Sequence, residues 1–291
     1  MAYKNLEQKR AYDRQYWLKI KGQGPAPSQL PIGTVQHLTD IKVPKDGLKI
    51  ALIPDVQAMD GVPLDHLDHA GKYIAAKRPD VIVCIGDFGD FPSLSRFGSP
   101  LEREGLRYKK DVAAFHEAME TLMNPIRKVA GYDPYMEFTE GNHEGHIERY
   151  AGEHPEMEGR VSIDDLALPA YGWRVHPFLQ PVGIGGVAFC HYFPSGQMGR
   201  PITTSRALLT KLHMSAVAGH QQGRDIAFGR RADGAHMTTI IAGSFYQHKY
   251  KFLSPFTNTH YRGMVFLHEV RDGQFDEMWL SIDYLKRRFG A

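Results

Sequence analysis

The sequence predicts an α/β fold, a two-sheet β-sandwich flanked by helices. Three observations carry this expectation. Between residues 48 and 139, apolar runs of strand length alternate with helical stretches, the pattern of parallel strands joined by right-handed helical crossovers. After His220 the alternation stops and four runs of strand character follow one another, which suggests two sheets packed face to face. Hydrophobic residues make up 42% of the chain and charged residues 23%, a balance that supports a packed core rather than disorder.

The elements follow in order. Residues 1–24 form a basic-aromatic arm in which Lys4, Lys9, Arg10, Arg14, Lys19 and Lys21 face only Glu7 and Asp13, with Tyr3, Tyr12, Tyr16 and Trp17 interleaved. A helix is expected over 6–20. Such a segment could grip phosphates and stack on bases, or it could dock its aromatic face on the main domain or on a sister subunit. Residues 25–47 read as a linker, opened by the Gly- and Pro-rich run at 22–28. The main domain spans 48–291. Strands are expected at 48–53 and 80–85, with an amphipathic helix over 64–77 between them. The stretch 91–103 reads as irregular. A long helix over 108–130, bent at Pro125, leads to a strand at 135–139 and a helix opening at Gly145. Residues 152–181 are loop-rich. A strand over 183–190, a helix over 203–213 and a strand over 214–218 complete the alternating part. The tail offers strands at 224–231, 236–242, 263–270 and 277–284, with hairpin chemistry at Ala232-Asp233-Gly234 and Asp272-Gly273.

Composition excludes several classes. Lys and Arg number 35 against 33 Asp and Glu, so no strongly basic or acidic surface covers the whole chain and any nucleic-acid-binding patch must be local. No apolar run is long enough to span a membrane, and residues 1–5 lead into no apolar signal core, which predicts a cytoplasmic protein. The two cysteines, Cys84 and Cys190, fall inside apolar runs. They read as small buried hydrophobes in a reducing compartment, with a structural disulfide as the alternative.

Chemistry-bearing residues recur at one kind of place. Asp55, Asp87, Asn142, His191 and His220 each follow an apolar run, where a strand gives way to a loop. In α/β sheets that is where ligands bind. One such event is commonplace, but five are hard to explain by packing. Carboxylate, amide and imidazole donors together suit divalent metal ions. Mn²⁺ is the first expectation, and Mg²⁺, Ni²⁺, Fe and Zn²⁺ are alternatives. A carboxylate shared between two cations is the usual bridge of a two-metal hydrolytic site.

In order, Asp55-x-Gln57, Gly86-Asp87-x-x-Asp90, Gly141-Asn142-His143-Glu144, His191 and Gly219-His220 resemble the signature of the calcineurin-like metallophosphoesterases, DxH, GDxxD, GNH(E/D), a lone His and GHxH. The resemblance spans about 49–222. The strings from Gly86 to Ser95 and from Gly219 to Arg224 also resemble poorly characterised members encoded by tailed bacteriophages, which would place the protein in the host cytoplasm. The resemblance implies the calcineurin-like fold and hydrolysis of phosphate esters by a metal-activated hydroxide. It implies that Asp87 bridges two metals, that Asn142, His191 and His220 complete the second site, and that Asp55 and the residue at 57 belong to the first. His143 would be the general acid or electrostatic stabiliser beside the leaving group, held by Asp90.

Two positions depart from that signature. Gln57 replaces the His of DxH, and Gln222 replaces the second His of GHxH. Both changes weaken the first site, because an amide oxygen is a poorer ligand than imidazole for borderline cations. Other candidates carry less. His143-Glu144-Gly145-His146 is one residue too short for a zincin motif. The run Gly183-Ile184-Gly185-Gly186 reads as a turn. His66, His69, His116 and His213 read as ordinary helix residues. Arg200, Arg206, Arg224 and Arg230 could reach a substrate phosphate, and His236, His248, His260 and His268 receive no role. The substrate expected first is a nucleic-acid or nucleotide diester, with phosphomonoesters as the alternative. A catalytically weak binding or scaffold module, to which Gln57 lends support, is the second alternative. A homo-oligomer is compatible with the arm.

Overall fold

The computed structural model describes residues 34–96, 100–157, 159–250 and 260–290. The N-terminal arm lies outside the described residues. Within them, fourteen strands occur. They are β1 (Gln36–His37), β2 (Leu48–Ile53), β3 (Val81–Cys84), β4 (Tyr135–Thr139), β5 (Arg174–His176), β6 (Val182–Ile184), β7 (Val187–Cys190), β8 (Pro194–Ser195), β9 (Arg200–Pro201), β10 (Ala216–Ala218), β11 (Arg224–Arg230), β12 (His236–Ala242), β13 (Gly263–Arg271) and β14 (Gln274–Ser281). Two six-stranded sheets result, ordered β1-β6-β7-β10-β12-β11 and β14-β13-β2-β3-β4-β5, beside a two-stranded β8-β9 ribbon. In the second sheet β2 to β5 are parallel, and β13 pairs antiparallel with β2. In the first, β10 runs parallel to both β7 and β12.

The pleat explains the layers. Successive side chains of a strand point to opposite faces. Ile50, Leu52, Val81 and Val83 of one sheet meet Val182, Val187, Phe189, Val217 and Ile240 of the other in the central core. The alternate set, Ala51, Ile53, Ile82 and Cys84, packs outward with side chains of the helices Asp65–Lys77 and Tyr108–Arg127, among them Leu67, Ile74, Phe115 and Leu122. On the far side, Ala188, Cys190, Ala216, Ala218 and Ile241 cluster with Leu208 of the helix Ser205–Leu212. Helix, sheet, sheet and helix are therefore stacked, as the sequence predicts. Both cysteines are buried free thiols, as expected of small hydrophobes.

Several boundaries differ from expectation. The described part of the 25–47 stretch is not only a linker, because Gln36 and His37 pair with Val182 and Gly183 and Ile41 is buried. The run read as one strand over 183–190 is a hairpin, β6 to β7, turning through Gly185 and Gly186 at φ 57° and 86°. The loop-rich stretch contributes the edge strand β5. The tail does not form one sheet of its own. β11 and β12 extend the first sheet, while β13 and β14 complete the second. The last strand lies upstream of the expected 277–284, and a helix, Ile282–Phe289, follows it. The cap is Ser281, whose side chain accepts the Tyr284 N–H at 3.1 Å. No helix among the described residues is long and apolar enough to cross a membrane.

Candidate metal centre

Three strands of one sheet and two of the other deliver their C-terminal ends to a single cleft. Asp55 follows β2, Asp87 follows β3, Asn142 follows β4, His191 follows β7 and His220 follows β10. The peptides around them are laced together. The Gln57 N–H donates to the Asp87 carbonyl at 2.9 Å, the Ala58 N–H to the Phe88 carbonyl at 2.8 Å, and the Asp90 N–H to the Ala58 carbonyl at 3.0 Å. Gln57, Asp87, His220 and Gln222 all adopt positive φ, from 47° to 63°. Non-glycine residues in that region are strained, and such strain concentrates at functional sites. The glycines of the motifs give room. A Cβ on Gly141 would lie 2.1 Å from Asp87 Oδ1, and one on Gly219 would lie 2.5 Å from Asp55 Oδ1.

Asp87 sits at the centre, 1% exposed. Its Oδ1 accepts the His143 backbone N–H at 2.9 Å, and its Oδ2 lies 3.2 Å from His191 Nε2 and 3.7 Å from His143 Nε2. Burial opposes its ionisation, but His191 and His143 outweigh burial and hold its pKa well below the usual carboxylate range. Asn142 Oδ1 lies 2.9 Å from His191 Nε2 and 2.7 Å from His220 Nδ1. Ligand atoms of Asp87, His191 and His220 all lie within 4.8 Å of one another.

The donor set fits a cation. His191 Nδ1 lies 2.9 Å from the Ile85 carbonyl, which can only accept, so Nδ1 carries a proton. In the neutral ring Nε2 is then a bare lone pair, and it faces the oxygens Asp87 Oδ2 and Asn142 Oδ1. Three acceptor atoms converging without a proton between them need a positive charge. A proton on the ring is one answer, and the pKa of His191 is raised to about 9, with burial opposing and the Asp87 charge prevailing. A metal ion is the other. A second group of donors stands beside it. Asp55 is fully buried, with Oδ1 accepting the His220 N–H at 3.1 Å. Its Oδ2 and the Oε1 of Gln57 are buried without a hydrogen-bond partner among the described residues. Buried oxygens of that kind are rarely left unmatched, and a hard cation would match both. Gln222 differs, because its Oε1 accepts the Tyr246 hydroxyl at 2.8 Å.

His143 and Asp90 lie side by side. His143 Nδ1 lies 2.9 Å from Asp90 Oδ1 and 2.7 Å from the Asp90 carbonyl. Both are acceptors, so Nδ1 holds a proton and Nε2 turns toward Asp87. Burial disfavours a charge on this ring, but Asp87 and Asp90 prevail and raise its pKa to about 10.

One residue of the motif carries more than the sequence reveals. Glu144 is wholly buried, and its carboxylate accepts four backbone N–H groups. Oε2 takes those of Asp87 and Gly141, each at 2.8 Å, and Oε1 takes those of Phe88 at 2.8 Å and Gly89 at 3.2 Å. Burial and the charge of Asp87 push its pKa up. All four partners are donors, however, so a carboxylic proton would have no acceptor and the ionised form is the one that fits. Of the arginines considered, Arg224 lies over Tyr261 and Trp279, 5.3 Å and 4.6 Å from the ring centroids. His66 and His116 are hydrogen-bonded within the fold, to the Phe245 carbonyl at 2.8 Å and to the Tyr171 hydroxyl at 2.9 Å.

No family model matches the chain, and no curated protein matches it. Among solved structures, a dimetal phosphatase from Danio rerio is similar over 81% of this chain and 96% of that one, at 12% identity and a TM-score of 0.42.

Proposed function

We propose that the protein is a metal-dependent phosphoesterase of the calcineurin-like kind. The observation that carries the reading is the convergence of Asp87, Asn142, His191 and His220 on one point, next to the Asp90–His143 pair. In this reading Asp87, Asn142, His191 and His220 would hold one divalent cation, and Asp55 and Gln57, with Asp87, would hold a second. Bound there, divalent cations would supply Lewis acidity to phosphoryl oxygens and acidify the attacking water. Mn²⁺ is the first expectation, with Mg²⁺, Ni²⁺, Fe and Zn²⁺ as alternatives.

The protein's own groups do the rest. Glu144 gathers the peptides of 87–89 and 141 and so fixes where Asp87 and Asn142 stand. Asp90 orients His143 so that Nδ1 is occupied and Nε2 faces the cleft. The charge of His143, maintained by its two carboxylate neighbours, makes Nε2–H a proton donor for a departing alkoxide. It would also stabilise negative charge on the leaving oxygen.

The basic and aromatic composition of residues 1–24 supports nucleic-acid or nucleotide diesters as the first substrate class, with phosphomonoesters as the alternative. Gln57 favours a second reading, a catalytically weak binding or scaffold module with one cation or none. The two readings part in one experiment. The full chain is stripped of metal, then assayed against a chromogenic diester and a chromogenic monoester with Mn²⁺, Mg²⁺, Ni²⁺ or Zn²⁺ restored. Turnover that returns with metal supports the phosphoesterase. Metal uptake without turnover supports the scaffold.

A further inference from the structure

The segment from Gly243 to Tyr250, which follows β12, supplies none of the candidate metal ligands, yet it is fastened to the cleft. The Phe245 N–H donates to the Asp55 carbonyl at 2.8 Å. The helix Asp65–Lys77 holds the segment from outside, through His66 Nε2 on the Phe245 carbonyl at 2.8 Å and Gln247 Nε2 on Asp65 Oδ1 at 2.6 Å. Arg262 Nη1 donates to the carbonyls of Tyr246 at 3.1 Å and His248 at 2.6 Å, and its guanidinium lies 4.4 Å from the Tyr246 ring centroid.

This frame presents His248. Its ring stacks on Tyr246 at 4.5 Å and 26°, and meets Tyr250 edge-on at 4.9 Å and 76°. Tyr246 is tied to Gln222, and Tyr250 lies within reach of the charge of Asp90, the residue that orients His143. Both ring nitrogens of His248 are buried and have no hydrogen-bond partner among the described residues. The ring is thus held in place by its faces and edge while its polar atoms are left unmatched. Buried polar atoms in a fold normally find partners, and a side chain fixed this firmly without one is suited to a partner that arrives from outside. The charges that act on the ring are Asp90 and Arg262. Among the described residues, its nitrogens do not group with the ligand atoms of Asp87, His191 and His220.

We propose that His248 is a substrate-binding residue, whose imidazole N–H donates to a phosphoryl oxygen of the ester next to the Asp90–His143 pair. The proposal rests on the phosphoesterase reading. It assigns to the segment 243–250 the recognition of the tetrahedral oxyanion. Burial keeps the imidazole neutral, with its pKa lowered to about 4, so it donates without adding charge.

The test uses the full chain with Mn²⁺ and two variants. His248→Phe keeps a ring in the stack and removes both nitrogens. His248→Gln restores a donor. KM and kcat are measured for p-nitrophenyl phosphate and bis(p-nitrophenyl) phosphate, with the inhibition constant of inorganic phosphate, bound metal and melting temperature. His248→Phe is expected to raise KM and the phosphate inhibition constant about tenfold, the loss of one good hydrogen bond, with metal content and melting temperature unchanged. His248→Gln is expected to recover part of that loss, and it decides the matter if the Phe variant is destabilised. Unchanged KM and phosphate inhibition in an active His248→Phe protein would overturn the proposal, and so would loss of bound metal. Wild-type protein without metal-dependent turnover would instead remove the phosphoesterase reading, and this proposal with it.

Discussion

Glu144→Gln is the most searching substitution for the architecture of the site. The change is nearly isosteric, but it turns one of two acceptor oxygens into a donor. Whichever way the amide sits, two of the four backbone N–H groups lose their acceptor and face an N–H₂ instead. Those pairs are Asp87 with Gly141, or Phe88 with Gly89. A hydrogen bond to a charged group contributes about 1.5–3 kcal/mol, so two lost bonds amount to roughly 3–6 kcal/mol. Relief of the repulsion between Glu144 and Asp87 returns part of this, and a net loss of about 3 kcal/mol is expected. Domains of this kind are stable by about 5–15 kcal/mol, so the variant should fold but unfold at clearly lower urea. The loss should extend to the cation site, because the four peptides are those that place Asp87 and Asn142. Urea unfolding followed by circular dichroism gives the first quantity, and metal titration monitored by calorimetry gives the second. Glu144→Asp, which keeps the charge but falls short by one methylene, should lie between. A Gln variant within about 1 kcal/mol of wild type and with unaltered metal affinity would refute the argument that the carboxylate organises the two loops.

Four further outcomes are expected. Gly141→Ala should abolish tight metal binding while leaving the sheets intact by circular dichroism, since its Cβ would sit 2.1 Å from Asp87 Oδ1; full occupancy in that variant would contradict the close approach. Gln57→His should strengthen the weaker of two unequal cation affinities, because imidazole binds borderline cations better than an amide oxygen; equal, tight affinities in the wild-type protein would remove the premise. His143→Ala should lower turnover about 10²–10⁴-fold at constant metal content, with a smaller loss for esters whose leaving group needs no proton; an equal loss across leaving groups would indicate an electrostatic role alone. His66 is 1% exposed and its pKa is lowered to about 4, chiefly by burial. Its neutral form therefore stabilises the fold fully above the unfolded value near 6.5, and that contribution is lost as pH falls from about 6.5 to about 4. The wild type should lose up to about 3 kcal/mol across that window, and His66→Gln, which does not titrate there, should show a flatter profile of urea midpoints.

The site was legible where chemistry coincided with a strand end. Asp55, Asp87, Asn142, His191 and His220 each close an apolar run, so a one-dimensional reading could align them. What Glu144 does was not legible, because its partners are backbone groups and only the fold brings them together. His248 does not stand out in the sequence for a related reason, since no motif surrounds it and only three-dimensional packing shows its two nitrogens without partners among the described residues. At the C-terminus, the run Trp279-Leu280-Ser281-Ile282 continues an apolar pattern and conceals the break that Ser281 makes as a helix cap. The glycine pair at 185–186 reads as a turn, but apolar character is continuous on both sides and hides the break between β6 and β7.

The position of β13 has a consequence for how the chain is made. Val265 pairs with Leu52 and Phe266 with Ala51, so the strand that delivers Asp55 gains its second neighbour only after residues 263–271 have left the ribosome. Until then the edge of β2 is open, with Ile50 and Leu52 on one face and Ala51 and Ile53 on the other, a surface ready to pair with another chain. β12, which lies between β10 and β11, poses the same problem in the other sheet. Pairing across such separations is slow to close, and partly synthesised chains with open edges aggregate. Yield in a cell should therefore respond to translation speed and to chaperones that shield strand edges, and a fragment ending before residue 263 should be insoluble even though it contains every residue of the metal centre.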